Sequence, residues 1–265
     1  MKNQLVLLAI VIGAIFSSCN NSPKQKEEAE AFKPKPNIII IVADDLGFSD
    51  IAPFGGNIQT PVLDKLSKES LVFSNFHVLP TCSPTRSCLL TGNDNHVAGL
   101  GIMSEMDYPA LHNQKLPGYS GGLSTQVVTI PEVLRDNGYH TYMVGKWHLG
   151  EDAGQNPYDR GFEEAFILGT GGGSHFNDKK ALAPVQTMTY TRNGKEAELP
   201  QDFYSSKNYT DSMIQFIDRN KADKKPFFAF QSYTAVHDPL HAPKEYIEKY
   251  KGKFDMDGIH FGCSV

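Results

Sequence analysis

The stretch NIIIIVADD, residues 37–45, sets five β-branched residues in a row, Ile38, Ile39, Ile40, Ile41 and Val42, and follows them with two carboxylates, Asp44 and Asp45. An apolar run without polar alternation predicts a strand buried on both faces, as in a parallel sheet covered by helices. The paired acids at its end raise a second question, namely what the rim of that sheet holds.

Outward from this strand the chain alternates. Thr60-Pro61 offers a helix start with proline in the first turn, and VLDKLSKES, residues 62–70, continues with helical spacing. Residues 71–77, LVFSNFH, predict a second strand. In TCSPTRSCLLTG, residues 81–92, Pro84 suits a first turn and Gly92 a helix end, which places Cys82 and Arg86 at or near the positive end of a short helix. Residues 129–137, TIPEVLRDN, predict a helix closed by Gly138, and residues 139–145, YHTYMVG, a strand whose exit carries Lys146, Trp147 and His148. Residues 210–220, TDSMIQFIDRN, predict a capped amphipathic helix with Met213, Ile214, Phe216 and Ile217 on its apolar side. Residues 226–233, PFFAFQSY, predict the next strand, and His237 lies just past it.

Strands alternating with helices define an α/β fold with a mostly parallel central sheet and helices on both faces. Ligands of such sheets bind beyond the carboxyl ends of the strands. Asp44, Asp45, Lys146, His148 and His237 all follow predicted strands directly, so residues scattered in sequence are expected on one rim.

The N-terminal residues read differently. MKNQLVLLAIVIGAIFSSC, residues 1–19, has an early Lys2, an apolar run over residues 5–16, and small residues closing on Cys19. This is a secretory signal pattern, too short for a comfortable membrane span. Its end resembles the lipobox of bacterial lipoproteins, in which Cys19 is acylated. The expectation is a lipid-anchored protein of the periplasm or outer membrane of a Gram-negative bacterium. Residues 20–36 are charged and proline-bearing with little to bury, as a flexible tether is, and residues 37–265 suffice for one domain. A hydrophobic content of 40% with a net charge of −5 fits a globular body and argues against nucleic acid as partner. With Cys19 lipidated, Cys82, Cys88 and Cys263 remain, an odd number. A helix between Cys82 and Cys88 would hold them about 9 Å apart, beyond disulfide reach.

Each rim residue also has a plain reading. Adjacent carboxylates repel unless a cation sits between them, and oxygen donors suit a hard cation such as calcium or magnesium, yet an Asp-Asp pair taken alone is more often a solvated turn. Lys146 and His148 flank the only tryptophan; a lysine holds an anion and an imidazole moves a proton, or the segment is a surface loop anchored by Trp147. His237 is a second proton-transfer candidate, with His241 close by in sequence. The run GTGGG, residues 169–173, lacks the phosphate-loop ending and the dinucleotide spacing, and reads as a flexible loop bordering a pocket. For Cys82 three readings stand: a buried structural thiol, a thiolate activated by the helix terminus and Arg86, or a residue chemically remade.

Cys82-x-Pro84-x-Arg86-x-x-Leu89-x-Thr91-Gly92 resembles the first signature of the type I sulfatases, in which the cysteine is oxidised to formylglycine. Gly138-Tyr139-x-Thr141-x-x-Val144-Gly145-Lys146-Trp147-His148 resembles the second. With PNIIIIVADDLGFSD ahead and VHDPLHAP behind, the span from Pro36 to about Phe254 resembles a bacterial arylsulfatase of the alkaline-phosphatase-like superfamily. The resemblance implies hydrolysis of a sulfate ester, either a small molecule or a sulfated glycan, to an alcohol or phenol plus sulfate. In it, one hydroxyl of the hydrated aldehyde at position 82 attacks sulfur, and one calcium ion, held partly by Asp44, Asp45 and the residue made from Cys82, polarises the sulfate oxygens. Arg86 and Lys146 offset negative charge, His237 protonates the leaving alcohol, and His148 takes the proton of the second hydroxyl. A formylglycine-generating enzyme or an anaerobic sulfatase-maturing enzyme is the implied partner.

The family also carries a later Asp-Asn pair and a second lysine, C-terminal of the region present, and the likeness fades into DMDGIHFGCSV, residues 255–265. The expectation is a sulfatase catalytic domain lacking its C-terminal part. Two alternatives follow: an inactive or ligand-binding lipoprotein, and a phosphatase or phosphonate hydrolase of the same superfamily. Pro84 and Gly92 favour the sulfatase signature over the latter.

Overall fold

The computed structural model describes residues 34–106, 116–178, 180 and 188–253. The chain divides into Met1–Lys35 and Pro36–Val265, and the fold is that of the second unit. Cys19, residues 20–33 of the expected tether, Cys263 and residues 254–265 lie outside the described residues.

Six strands form one sheet: β1 (Ile38–Val42), β2 (His140–Lys146), β3 (Glu164–Leu168), β4 (Tyr190–Arg192), β5 (Lys195–Glu196) and β6 (Phe227–Ser232), in the order β1-β6-β2-β3-β4-β5. The first four in that order are parallel, with Ile40 opposite Phe230 and Val144 opposite both Gln231 and Phe166. β4 and β5 add an antiparallel edge. The carboxyl ends of β1, β6, β2 and β3 therefore share one rim.

Among the described residues five α-helices accompany the sheet: α1 (Pro61–Glu69), α2 (Cys82–Thr91), α3 (Ile130–Asp136), α4 (Ser205–Asn220) and α5 (Lys244–Tyr250). Successive strand residues point to opposite faces, so the sheet builds two cores. On one face Met143, Ala165, Ile167, Phe228 and Phe230 pack with Trp147, Phe162, Leu90 of α2 and Leu134 of α3. On the other, Tyr142, Val144, Phe166, Leu168 and Ala229 pack with Tyr209, Met213 and Phe216 of α4. Each buried phenylalanine contributes roughly 1.5–3 kcal/mol by leaving water, so the two faces hold the rim at the strand ends rigidly.

Local signals set the ends of the two helices that matter to the rim. Thr129 and Glu132 exchange side-chain and backbone hydrogen bonds in a capping box that starts α3. Gly92 takes φ 67 and closes α2 with its N–H on the Cys88 carbonyl, 2.8 Å away, as a left-handed glycine does.

Three expectations change. Residues 71–77 form no strand; Leu71, Phe73 and Phe76 are largely exposed, because β propensity supplies no ladder partner and none is present among the described residues. β1 is an edge strand whose Ile39 and Ile41 are exposed (55% and 66%), while Ile38, Ile40 and Val42 pack inward. Its run of isoleucines thus meets a helix layer on one face only among the described residues. The helix expected from Thr210 begins at Ser205; Thr210 sits inside it with its hydroxyl on the Ser206 carbonyl, and Ile214 faces out. β3, β4 and β5 carried no signal that singled them out.

Candidate active site

The rim starts with β1. Beyond Val42 the backbone stays zipped to the segment after β6, with Asp44 N–H on the Ala235 carbonyl at 2.9 Å and Val236 N–H on the Asp44 carbonyl at 2.8 Å. Asp44 is thereby fixed and buried. Asp45, at φ 59, turns its side chain out, 60% exposed.

Lys146, the last residue of β2, is fully buried with Nζ 2.6 Å from Asp44 Oδ2. Arg86, one turn into α2 and also buried, places Nη2 3.4 Å from Asp44 Oδ1 and donates from Nη1 to the Lys146 carbonyl (3.0 Å) and to Ser232 Oγ. Ser232 in turn donates to the Lys146 carbonyl at 2.7 Å. The strands come this close because residue 145 is glycine: at φ +97 a Cβ there would sit 1.7 Å from the Ser232 carbonyl oxygen. Burial pushes the Asp44 carboxyl up, but Arg86 and Lys146 outweigh it and hold it below the usual range.

Cys82 opens α2 and lies half-buried among these groups. One carboxylate oxygen of Asp44, the Cys82 sulfur and one ring nitrogen of His237 lie within 4.8 Å of one another. Burial raises the Cys82 pKa, but interaction with His148 and His237, together with the charge of Lys146, brings it down to about 6. Cys88 shows the contrast, for burial and Asp94 raise its thiol.

The two histidines are oriented differently. His148 Nε2 lies 2.8 and 2.9 Å from the two carboxylate oxygens of Glu105. A carboxylate only accepts, so Nε2 carries a hydrogen, and Nδ1 is buried without a hydrogen-bond partner. The GTGGG run borders this ring, where a Cβ on Gly171 would lie 2.7 Å from His148 Cε1. His237 has Nδ1 2.7 Å from the Asp238 carbonyl, which leaves Nε2 on the Asp45 side at 3.7 Å. Its pKa is raised, first by Cys82, with burial opposing.

Asp44, Cys82, Arg86, Lys146, His148 and His237 are thus brought together, with Asp45 at the solvent edge. Three contributors carried no sequence signal. Glu105 sits in a short turn of 3-10 helix, Ser232 ends β6, and buried His175 bonds Ser205 Oγ (2.8 Å) and the His237 carbonyl (3.3 Å), its pKa lowered to about 4 by burial. His241 lies beside His175, ring centroids 6.2 Å apart.

The parallel sheet carries this constellation at its strand ends, and comparison with known proteins gives the class. The sulfatase family profile matches residues 36–260, and the chain belongs to the sulfatase family. It is 44% identical over 228 residues to the arylsulfatase of Klebsiella aerogenes, covering 85% of this chain and 48% of the relative. An uncharacterised sulfatase of Schizosaccharomyces pombe is 43% identical over 234 residues, covering 85% and 42%. Among solved structures, Ps i-CgsB in complex with k-i-k-neocarrahexaose matches with a TM-score of 0.74 and 30% identity, over 87% of this chain and 52% of that one. The chain spans about half the length of the curated relatives it matches.

Proposed function

We propose that the protein hydrolyses sulfate esters, cleaving the S–O bond to release an alcohol or phenol and sulfate. The observation that carries this reading is the placement of Cys82 against Asp44 and His237 within 4.8 Å, with Lys146 and Arg86 behind the carboxylate. The site residues are Cys82, Arg86, Lys146, His148 and His237, and Asp44, Asp45 and position 82 are the residues that would hold the metal.

Asp44 and Asp45 offer carboxylate oxygens at one strand end, the chemistry a hard divalent cation takes, and calcium is the ion proposed. Such an ion takes six to eight oxygens, so these two side chains supply part of its shell. Bound there, it supplies polarisation of the sulfate oxygens, and formylglycine made from Cys82 supplies the nucleophilic oxygen.

The chain's own residues do the rest. Lys146 and Arg86 set fixed positive charge in a buried wall where sulfate charge must be accommodated, and buried charge is screened little. His148, its Nε2–H held by Glu105, presents Nδ1 as a base for a hydroxyl proton at position 82. His237, its Nδ1–H on the Asp238 carbonyl, presents Nε2 to give a proton to the leaving oxygen. A sulfated glycan as substrate is supported by the hexaose bound to Ps i-CgsB, and an aryl sulfate by the Klebsiella relative's name.

Outside the site, a signal peptide over residues 1–19, lipidation of Cys19, a tether over residues 20–36, a catalytic domain from residue 37 and a periplasmic or outer-membrane location remain part of the proposal, resting on the sequence pattern. Replacing Cys19 by Ala should then release the protein from the membrane fraction.

Expression beside a sulfatase-maturing enzyme, with calcium, tests the activity on nitrophenyl sulfate and nitrophenyl phosphate. Faster turnover of the sulfate is expected, together with a mass change at the Cys82 peptide. Preference for the phosphate, or turnover unaffected by Cys82→Ala, would reject the reading.

A further inference from the structure

With its cysteine unmodified, the rim holds a ligand set of another kind. A thiol, an imidazole and a carboxylate from three separate elements, α2, the segment after β6 and the end of β1, present ligand atoms within 4.8 Å of one another. For three points so spaced, some position lies within about 2.8 Å of all three, so closing to the 2.0–2.3 Å bonds of zinc takes shifts of about half an ångström. Hard oxygen-seeking cations gain little from sulfur and nitrogen, whereas zinc takes this mixture readily.

We infer that the unmodified chain binds one zinc ion through Asp44, Cys82 and His237, with an open fourth position. The second shell fits. His237 Nδ1 is tied to the Asp238 carbonyl at 2.7 Å, which fixes the tautomer and leaves the Nε2 lone pair for a metal. Asp44 is held by Lys146 and Arg86, yet a carboxylate has about four lone-pair sites and can serve a metal beside them. The charges also allow it: the carboxylates of Asp44 and Asp45 stand against Lys146 and Arg86, and ionisation of Cys82 on binding adds a further negative charge facing the ion.

On binding, the Cys82 S–H bond breaks and, where His237 is protonated, its Nε2–H bond breaks too; the protons pass to solvent, and Zn–S and Zn–N bonds form with no change of oxidation state. Two consequences follow. The bound ion shields the sulfur from electrophiles, and conversion of Cys82 to an aldehyde removes the sulfur ligand and so the zinc site. The second consequence rests on the proposed maturation; the first does not.

Another cluster competes on paper. At the opposite end of β2, His140 lies between Glu163 (2.7 Å) and Asp223 (2.8 Å), but both ring nitrogens are taken there.

The test uses the full chain made without maturing activity, its Cys82 peptide verified as a free thiol by mass and its metal stripped by chelation. Titration with Co²⁺ alone is expected to give one equivalent bound with a thiolate-to-cobalt absorption in the near ultraviolet, displaced by Zn²⁺. Zinc should slow iodoacetamide labelling of Cys82 at least about tenfold, a measurement that needs no variant. Cys82→Ser should abolish the absorption, and both it and His237→Gln should weaken zinc at least about tenfold, while His140→Ala leaves affinity unchanged. Zinc affinity equal in Cys82→Ser, cobalt bound without the absorption, labelling unaffected by zinc, or loss of binding in His140→Ala would overturn the inference. Because none of these readouts is turnover, failure here leaves the sulfatase reading to its own assay.

Discussion

Lys146 Nζ lies 2.6 Å from Asp44 Oδ2, joining the ends of two parallel strands across 102 residues of sequence, and the lysine is wholly buried. Asp44→Ala strands that charge. The expected loss is about 3–5 kcal/mol, read as a lower urea midpoint. Lys146→Met should cost less, because Arg86 remains 3.4 Å from the carboxylate.

The same pair sets a pH dependence. The Asp44 pKa is depressed in the folded protein, so its contribution is complete above the unfolded value of roughly 3.9 and is lost as pH falls through the folded value. Acid titration of stability in the native chain and in Asp44→Asn should show a steeper loss below about pH 4 in the native chain; parallel curves would refute the pairing.

The two described thiols should separate by pH. In the unmodified chain, labelling of Cys82 with iodoacetamide should rise through about pH 6, while Cys88 labels only at and beyond the ordinary thiol range. His148→Gln should move the Cys82 midpoint upward. In Cys82→Ala the leading cause of the raised His237 pKa is gone, so its NMR titration should shift down.

In matured enzyme, His237→Ala should reveal its role through the leaving group. Alkyl sulfates need a proton on the departing oxygen and should slow by about 10²–10⁴-fold. Nitrophenolate leaves unaided, so nitrophenyl sulfate should slow far less. Equal losses on both would point to a structural role.

Glu105 fixes which nitrogen of His148 is free. Glu105→Ala should lower kcat about 10- to 100-fold, the range typical of lost orienting partners, with KM little changed. Rescue by Glu105→Asp and not by Glu105→Leu would separate orientation from packing.

A chain limited to these residues should turn over poorly even when matured, since Asp44 and Asp45 supply only part of a six- to eight-oxygen shell. Exposed Ile39 and Ile41 on one face of β1, the edge strand among the described residues, should also make it prone to associate. Fusing the C-terminal half of the Klebsiella relative should raise activity and solubility together; equal turnover by the short form would show that the shell is completed otherwise.

Much of this was legible in sequence because it is local. The Ile38 to Val42 run, the Pro84 and Gly92 signals around α2, and the helix of residues 129–137 closed by Gly138 depend on neighbours within a few residues, and each element appears where its pattern placed it. The rule that ligands gather beyond parallel strand ends then sufficed to set Asp44, Lys146, His148 and His237 on one rim. Partner choice was not legible. The pattern of residues 71–77 matched a strand, but a strand exists only where another edge receives its hydrogen bonds, and Leu71 and Phe73 ended exposed. Glu105, Ser232 and His175 reach the site through turns and strand ends with no periodicity to announce them. The sequence by itself determined the α/β alternation, the residue types of the rim and the two signatures that mark the family. Only the tertiary structure decided which nitrogen of each histidine is free, which side of β1 is covered, and that Asp44 rests between Lys146 and Arg86. Those depend on distances of a few ångströms between segments scores of residues apart, which packing of the two sheet faces fixes and no local pattern encodes.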